Sequence, residues 1–468
     1  MTWLRFTTLT LTLATSVLAQ PERTKKVISF SGLPDAQRFH DNVQEMERRM
    51  PVVDGVTLYP TTEKGGVRTE ALGRLFRIDF HRLEDFDTSI DLMRRARTNL
   101  YRHNFLLVYE SSGVVGLEVP DWLDPEFDAV VNNWKVAADY ARRAGMRGLL
   151  FDDEIYYGRD LWSHDKLKYR DTTTAEEYYD IVFERGAQIM RAVNTVYPDI
   201  HILSIHGPTQ PLLLSGGRQA DRHYEMIRAF FDGLLSECTG EAAIIDGSGR
   251  AYEYKRLWEF ERAAGRFRDM RQYSRVPDKW DRHAQIGFPI FIGSHGFSTD
   301  DFSANYYSPE ELTTALNFAL EHTDEYVWIY THETSLWERS DRSFLPDAYR
   351  DAMLAAHDPR QYVTTAVEEE AAEALPQDHE LLQSFPNPFN SSTAIHFTIG
   401  AKASVELTVY NEAGQEVVTL IHDELTAGRH IVSWDGRDAL GQAVGSGVYL
   451  YQLRVEEWEQ TRKLVLLQ

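Results

Sequence analysis

The sequence predicts an α/β barrel of eight strand–helix repeats followed by a small all-β sandwich. Three observations predict it. Between residues 27 and 358, short apolar or β-branched runs alternate with long amphipathic ones. From residue 385 onward the period falls to two, with turn residues at short intervals. Between these stretches lies a charged, alanine-rich run with Pro376 near its end, which reads as a linker over 359–384.

The chain has 468 residues and 43% of them are hydrophobic, enough for one large core and one small one. A formal net charge of −23 argues against nucleic acid, whose phosphates reward clustered Lys and Arg. It suits neutral or cationic ligands instead. The first residues, MTWLRFTTLTLTLATSVLAQ, place Arg5 before a threonine-diluted apolar stretch and a small-residue site at Val17-Leu18-Ala19. That layout predicts a secretory signal over 1–19 and delivery outside the cytoplasm. No later run reaches the roughly 18 apolar residues of a membrane span, so no transmembrane segment is expected. Cys238 is the single cysteine, which excludes an internal disulfide and a cysteine-based metal cluster. Its helical surroundings make it a small core residue.

The candidate barrel strands are Val27–Phe30, Val53–Tyr59, Phe105–Tyr109, Gly148–Glu154, Ile202–His206, Ala243–Asp246, Pro289–Gly293 and Tyr326–Tyr330. Pro125–Gly145, Thr174–Val196, Ala220–Glu237, Tyr252–Arg271 and Pro309–His322 carry apolar residues at three- and four-residue spacing and read as helices. Ser308-Pro309-Glu310-Glu311 is a helix start, with serine as cap and proline first. Eight strands alternating with helices is the count for a (β/α)8 TIM barrel. The stretch 60–103 is the least regular, and its apolar piece Leu75–Phe80 reads as part of a long loop or a small hairpin. A doubly wound sheet would carry a glycine-rich phosphate loop after an early strand, and Ser31-Gly32-Leu33-Pro34 is not one.

Such barrels place working residues at the C-terminal ends of their strands. GLLFDDEIYYG, residues 148–158, ends an apolar strand in three carboxylates. Side chains alternate along a strand, so Asp152 and Glu154 share one face and Asp153 takes the other. Like charges in a confined site keep a proton on one of the pair, and glycoside hydrolysis needs such a protonated carboxyl. Glu154 is therefore the candidate acid and Asp152 its partner; the alternative is ion pairing with Arg side chains of neighbouring loops. Glu333 after the last strand and Asp246 at the end of the sixth are candidates for the second carboxylate. Asp153, Tyr156, Tyr157, His206, Tyr252, Glu253, His295, Tyr330 and Trp337 are candidates for substrate binding, since sugar C–H faces pack on aromatic rings. Trp328, mid-strand, reads as core. The pattern calls for no cofactor. A metal hydrolase is one rival, because His206, His295, His332 and Asp246 end strands, but neither His-x-His nor His-Glu-x-x-His stands here. A non-catalytic barrel that binds a glycan or a surface partner is the other. A serine nucleophile lacks its Gly-x-Ser-x-Gly turn, the nearest loop being Gly293-Ser294-His295-Gly296.

In the tail, Val405, Leu407 and Val409 alternate with polar residues, and Asn411-Glu412-Ala413-Gly414 and Asp438-Ala439-Leu440-Gly441 supply turns. Residues 385–468 also contain, in order, Phe385-Pro386-Asn387-Pro388-Phe389-Asn390, Ser392-Thr393, Val409-Tyr410-Asn411, Gly414, Trp434-Asp435-Gly436, Gly447-Val448-Tyr449 and Lys463-Leu464-Val465-Leu466. On these motifs the whole segment resembles the C-terminal sorting domain of the type IX secretion system, which is similar to the Ig-like domain of flagellar hook-capping proteins. The resemblance implies an Ig-like sandwich, engagement of the type IX machinery, and export across the outer membrane of a Bacteroidetes-like bacterium to the surface or beyond. The Asp152-x-Glu154 strand end resembles the chitinase-like barrel glycosidases, which carry Asp-x-Glu at the fourth strand; it departs from them at Leu149, where that family has another Asp. FDDEIYYG, FFDGLL, IIDGSGRAYEY and VWIYTHET are together similar to secreted bacterial barrels classed with glycoside hydrolases. These resemblances imply a secreted hydrolase acting on a glycan.

Overall fold

In the computed structural model the chain runs through β1 (Lys26–Phe30) and β2 (Gly55–Leu58), a small antiparallel hairpin of β3 (Thr62–Lys64) and β4 (Val67–Thr69), then β5 (Phe105–Ser111), β6 (Gly148–Ile155), β7 (His201–Ser204), β8 (Ala243–Asp246), β9 (Ala284–Ile286), β10 (Phe288–Ile292) and β11 (Tyr326–Thr331). The structure describes residues 25–356 except 31, 33, 65–66, 70–73, 112–118, 156–159, 210–224, 294–296, 332–333 and 338–342. It also describes 379–466 except 382–383, 385–392, 412, 426–427, 435, 439–441, 443 and 457. The expected signal and most of the expected linker lie outside these residues.

Apart from the hairpin, these strands form one parallel sheet in the order β10-β11-β1-β2-β5-β6-β7-β8-β9. Its two edges are consecutive in sequence: Ala284–Ile286 pairs with β8, Phe288–Ile292 pairs with β11, and only Gly287 separates them. One stretch therefore serves as the eighth strand position, and the sheet curls into a nearly closed barrel. The crossing point needs a glycine. The Gly287 N–H donates to the Asp246 carbonyl at 2.7 Å, and a Cβ there would sit 2.8 Å from the Tyr326 carbonyl oxygen.

All eight strands read from the sequence appear, and so do the five helices, as Phe127–Arg143, Ala175–Asn194, Glu225–Glu237, Leu257–Met270 and Pro309–His322. Local chemistry sets their starts. Thr174 with Glu177 and Ser308 with Glu311 form reciprocal caps, and Pro309 occupies the first turn, where its missing N–H costs nothing. Helices also form at Ala36–Arg49, Asp87–Arg95, Pro277–His283 and Asp347–Ala356. The first shows why the pattern hid it: Ala36, Phe39, Val43 and Met46 make a thin apolar stripe among polar residues.

Leu75–Phe80 is a loop, and the hairpin of this region is Thr62–Thr69 instead. Leu75 and Phe76 are fully buried in the layer between sheet and helices, while Phe80 is exposed. Phe76 is a hub, its ring centroid 5.8 to 6.3 Å from those of Trp122, Trp134, Phe151, Trp162 and Phe230. Cys238 is buried in the same layer, with its thiol pushed up to about 12 by that burial.

After β11 comes a short parallel pair, β12 (Thr334–Ser335) with β13 (Ser343–Phe344). The sandwich then comprises β14 (Glu380–Leu381), β15 (Thr393–Ile399), β16 (Ala403–Asn411), β17 (Glu416–Leu425), β18 (Gly428–Trp434), β19 (Gly447–Val455) and β20 (Trp458–Leu466). Its antiparallel sheets run β14-β15-β18 and β17-β16-β19-β20. Val405, Leu407 and Val409 are buried, as their alternation requires, beside Phe397, Tyr451, Leu453 and Leu464. Trp434 donates from Nε1 to the Arg437 carbonyl at 2.9 Å and packs its ring 5.1 Å from Tyr449. Glu380 and Leu381, placed in the linker from sequence, instead begin the sandwich: they pair with Thr398 and Phe397, and Leu381 is fully buried.

Replacing the Phe76 hub opens a cavity among large rings that cannot collapse to fill it. Phe76→Ala is expected to cost about 3–5 kcal/mol, read as a lowered urea midpoint for the barrel with an unchanged slope.

Candidate functional site

Inward positions of the strands fill the barrel. Ile28, Phe105, Leu107, Leu150, Leu203, Ile245 and Trp328 form one buried cluster. Trp328 is core, as expected, and its Nε1 donates to the Gly247 carbonyl at 2.9 Å. The interior is thus a plug, and the candidate site residues belong to the mouth at the C-terminal strand ends.

Aromatic rings line that mouth. Phe291, Tyr330 and Phe30 sit in register on β10, β11 and β1, with neighbouring centroids 5.2 and 5.3 Å apart. Tyr252 arrives from the loop after β8 and lies 5.6 Å from Phe291 and 5.3 Å from Trp328. Across the mouth, Tyr109 donates its hydroxyl to Tyr59 at 2.8 Å, the rings stacked 6.3 Å apart.

The carboxylates enter beside Tyr109, whose register partner is Asp152. Leu149 and Phe151 pack toward the helices and Leu150 toward the interior, so Asp152 follows Leu150 inward. The ladder between β5 and β6 then slips. Tyr109 pairs with Asp152 but Ser111 with Ile155, which places an extra residue in β6 at Asp153-Glu154. A bulge at a barrel rim re-aims the side chains it carries. Asp152 is 1% exposed and accepts the Glu154 N–H at 3.1 Å. The Glu154 side chain remains 37% exposed. Burial, then the charges of Glu154 and Asp152, push the Tyr252 phenol well above its ordinary range.

Asp153 turns the other way and is saturated. Its Oδ2 accepts from the Ser204 hydroxyl at 2.8 Å and the Gly207 N–H at 3.0 Å. Its Oδ1 takes the His206 N–H at 3.1 Å and faces His206 Nδ1 at 3.0 Å. The other ring nitrogen, Nε2, lies 3.4 Å from Glu154 Oε1. Burial pushes Asp153 up, but His206, with Gly207 and Ser204, outweighs it and holds the carboxyl below the ordinary range. For His206 burial pushes down, and Asp153, helped by Glu154 and Asp152, outweighs it and raises the imidazole.

Asp246 serves loops. Its Oδ2 accepts from the Thr209 N–H and hydroxyl at 2.9 and 2.6 Å, and its Oδ1 from the Ser248 N–H and hydroxyl at 2.9 and 3.2 Å. It is fully buried, and burial lifts it to about 6 against these donors. Ser248 adopts a left-handed conformation, φ 51°, to close this turn.

The structure therefore brings together Asp152, Glu154, His206, Tyr252 and Tyr330 of the sequence-derived candidates. Three others are held by other partners. Asp153 has both oxygens engaged by Ser204, His206 and Gly207, and Asp246 by Thr209 and Ser248. Trp337 is buried, 6.1 Å from Tyr101. Glu253 has an exposed side chain, and its carbonyl accepts the Tyr306 hydroxyl at 2.5 Å. Tyr156, Tyr157, His295 and Glu333 lie outside the described residues. Phe30, Tyr59, Tyr109 and Phe291 were missed as site residues. Tyr59 and Tyr109 end candidate strands, which marks each singly but not the wall they form with Phe30 and Phe291. Among the described residues, no three His, Cys, Asp or Glu side chains converge as a metal ion requires.

Residues 388–460 match the family model of the FlgD Ig-like domain. No curated protein matches the chain. Among solved structures the chain is similar to dimeric latent PorU from Porphyromonas gingivalis, at 20% identity, 19% of this chain, 9% of that one and TM-score 0.17. It is similar to FlgD from P. aeruginosa at 20% identity, 19% of this chain, 65% of that one and TM-score 0.14. It is also similar to a GH5-4 broad specificity endoglucanase from an uncultured bacterium at 11% identity, 71% of this chain, 94% of that one and TM-score 0.39. The chain thus spans about a tenth of PorU's length. Scores this low carry nothing about the site, and the fold rests on the strand order itself.

Because Asp246 moves from 3.8 in the unfolded chain to about 6 when buried, its raised value favours folding below about pH 4, and that advantage is lost as pH rises through about 6. Relative to Asp246→Asn, the wild type is expected to lose up to about 3 kcal/mol between those pH values. Parallel urea titrations of the two proteins measure the gap, and a gap independent of pH would contradict the assignment.

Proposed function

We propose that the barrel hydrolyses a glycosidic bond, with Glu154 as general acid and Asp152 holding its backbone in place. The observation that carries this reading is the pairing of a half-exposed carboxyl at the fourth barrel strand with a mouth walled by Phe30, Tyr59, Tyr109, Tyr252, Phe291 and Tyr330. Aromatic faces pack on sugar C–H surfaces, and their bulk keeps water away from a charge that must change during reaction. Acid catalysis of glycoside cleavage needs a carboxyl within reach of the leaving oxygen and a second carboxylate across the sugar. With Asp246 committed to loops, Glu333 is the remaining candidate for that second role. The separation of the two carboxyl groups would set whether configuration is retained or inverted.

The sandwich carries a different task. We propose that residues 385–468 direct export through the type IX secretion machinery, after signal-dependent passage to the periplasm. This rests on the ordered motifs of the tail and on its Ig-like fold.

Glu154→Gln is expected to lower turnover of a glycan substrate by roughly 10²–10⁴-fold while leaving the melting temperature within about 2 °C, because the side chain is half-exposed. Retained full turnover would reject Glu154 as the acid, and unchanged glycan affinity with no turnover in either protein would favour a binding barrel. Deletion of 385–468 in a type IX-competent host is expected to trap the protein in the periplasm. Surface delivery of the truncated chain would reject the export role.

A further inference from the structure

We infer that Glu154 and His206 share a single proton, and that this pair, rather than repulsion from Asp152, holds the proton that bond cleavage consumes. The inference rests on the reading of Glu154 as the acid and adds the residue that supplies it. His206 is a positioning residue here, acting through Glu154.

The geometry leaves little freedom. Asp153 is a buried carboxylate that already accepts from Ser204, the His206 N–H and Gly207 and has only acceptor atoms to offer, so the nitrogen 3.0 Å from its Oδ1, His206 Nδ1, must carry hydrogen. A neutral imidazole protonated at Nδ1 has a lone pair at Nε2. That nitrogen lies 3.4 Å from Glu154 Oε1. A bare nitrogen facing a bare carboxylate oxygen would set lone pair against lone pair beside a fully buried anion. One proton between them removes the conflict, as imidazolium with carboxylate or imidazole with carboxylic acid. Asp153 holds the ring at Nδ1, and Gly249 makes room for its other edge, where a Cβ would meet His206 Cδ2 at 2.8 Å and Nε2 at 3.1 Å.

Burial of the imidazole opposes the proton, and Asp153 and Asp152, facing it from β6, outweigh that burial together with Glu154. Asp152 contributes mainly through the Glu154 N–H that it accepts. In the reaction, the glycosidic C–O bond breaks as the leaving oxygen takes the proton from Glu154. Water forms the new C–O bond, and the proton it sheds returns to the pair. Bond plus water becomes two hydroxyls, and the pair ends as it began.

The test needs no substrate. In the full chain labelled with 15N-histidine, a pH titration followed by NMR is compared between wild type and Glu154→Gln, a substitution at a half-exposed side chain that leaves the fold intact. One histidine is expected to stay protonated above the ordinary imidazole midpoint of about 6.5 in the wild type and to lose that shift by roughly one pH unit or more in Glu154→Gln. Asp152→Asn is expected to move it less. Identical titrations of every histidine in wild type and Glu154→Gln would overturn the pair. With a glycan substrate, His206→Gln is expected to move the basic limb of the pH–rate profile to lower pH, with Asp152→Asn moving it less; the reverse order overturns the inference. The pair signature without turnover on glycans removes the hydrolase reading, whereas turnover without the pair signature removes this inference alone.

Discussion

Each open edge of a parallel sheet presents a row of unpaired N–H and C=O groups, and closing the sheet removes both. Here both edges are met by one stretch of chain, residues 284–292, which pairs with β8 before Gly287 and with β11 after it. Closure then dictates the rest. It turns alternate side chains into a sealed interior, wraps the helices outside, and leaves the C-terminal rim as the place where polar groups collect. A Cβ at position 287 would press on the Tyr326 carbonyl, so the whole arrangement passes through one residue without a side chain.

Closure also sorts the carboxylates by face. Asp153 on β6 and Asp246 on β8 point away from the axis, and each makes four hydrogen bonds, to the end of β7 and the loops beside it. Between them they pin the end of β7 at Ser204 and the chain that follows it, through His206, Gly207 and Thr209. A buried carboxylate is costly to desolvate, by several kcal/mol. Hydrogen bonds to a charged group return about 1.5–3 kcal/mol each, so four of them make such an anchor tenable. Asp152 follows Leu150 inward, and the Glu154 carboxyl lies 3.4 Å from His206 Nε2. The DDE triplet is thus two structures superposed on one strand end: an anchor facing outward and a reactive pair facing the mouth. His206 joins the two faces, since one ring nitrogen serves the anchor and the other serves Glu154.

The tail obeys a simpler logic. Its strands are half-buried, so a period of two shows in the sequence, and the buried residues Val405, Leu407 and Val409 are those that the alternation selects. Where a strand is only two residues long, as at Glu380–Leu381, there is no period to read. Its pairing with β15 is a tertiary fact.

By itself the sequence determined the eight strand positions, five helices of the barrel and the switch to antiparallel strands, because periodicity and caps are properties of neighbouring residues. It also determined that acids and aromatics gather at strand ends, and it singled out Asp152, Glu154, His206, Tyr252 and Tyr330. It did not determine which acids are free to act. Asp246 and Trp337 have the same local signature as true rim residues, and only the packing of Thr209, Ser248 and Tyr101 around them shows otherwise. The ring of Phe30, Tyr59, Tyr109 and Phe291 is drawn from four strands far apart in the chain, so no local pattern could assemble it. The contact between His206 and Glu154 was decided the same way, by two adjacent parallel strands whose register is fixed by the closed sheet.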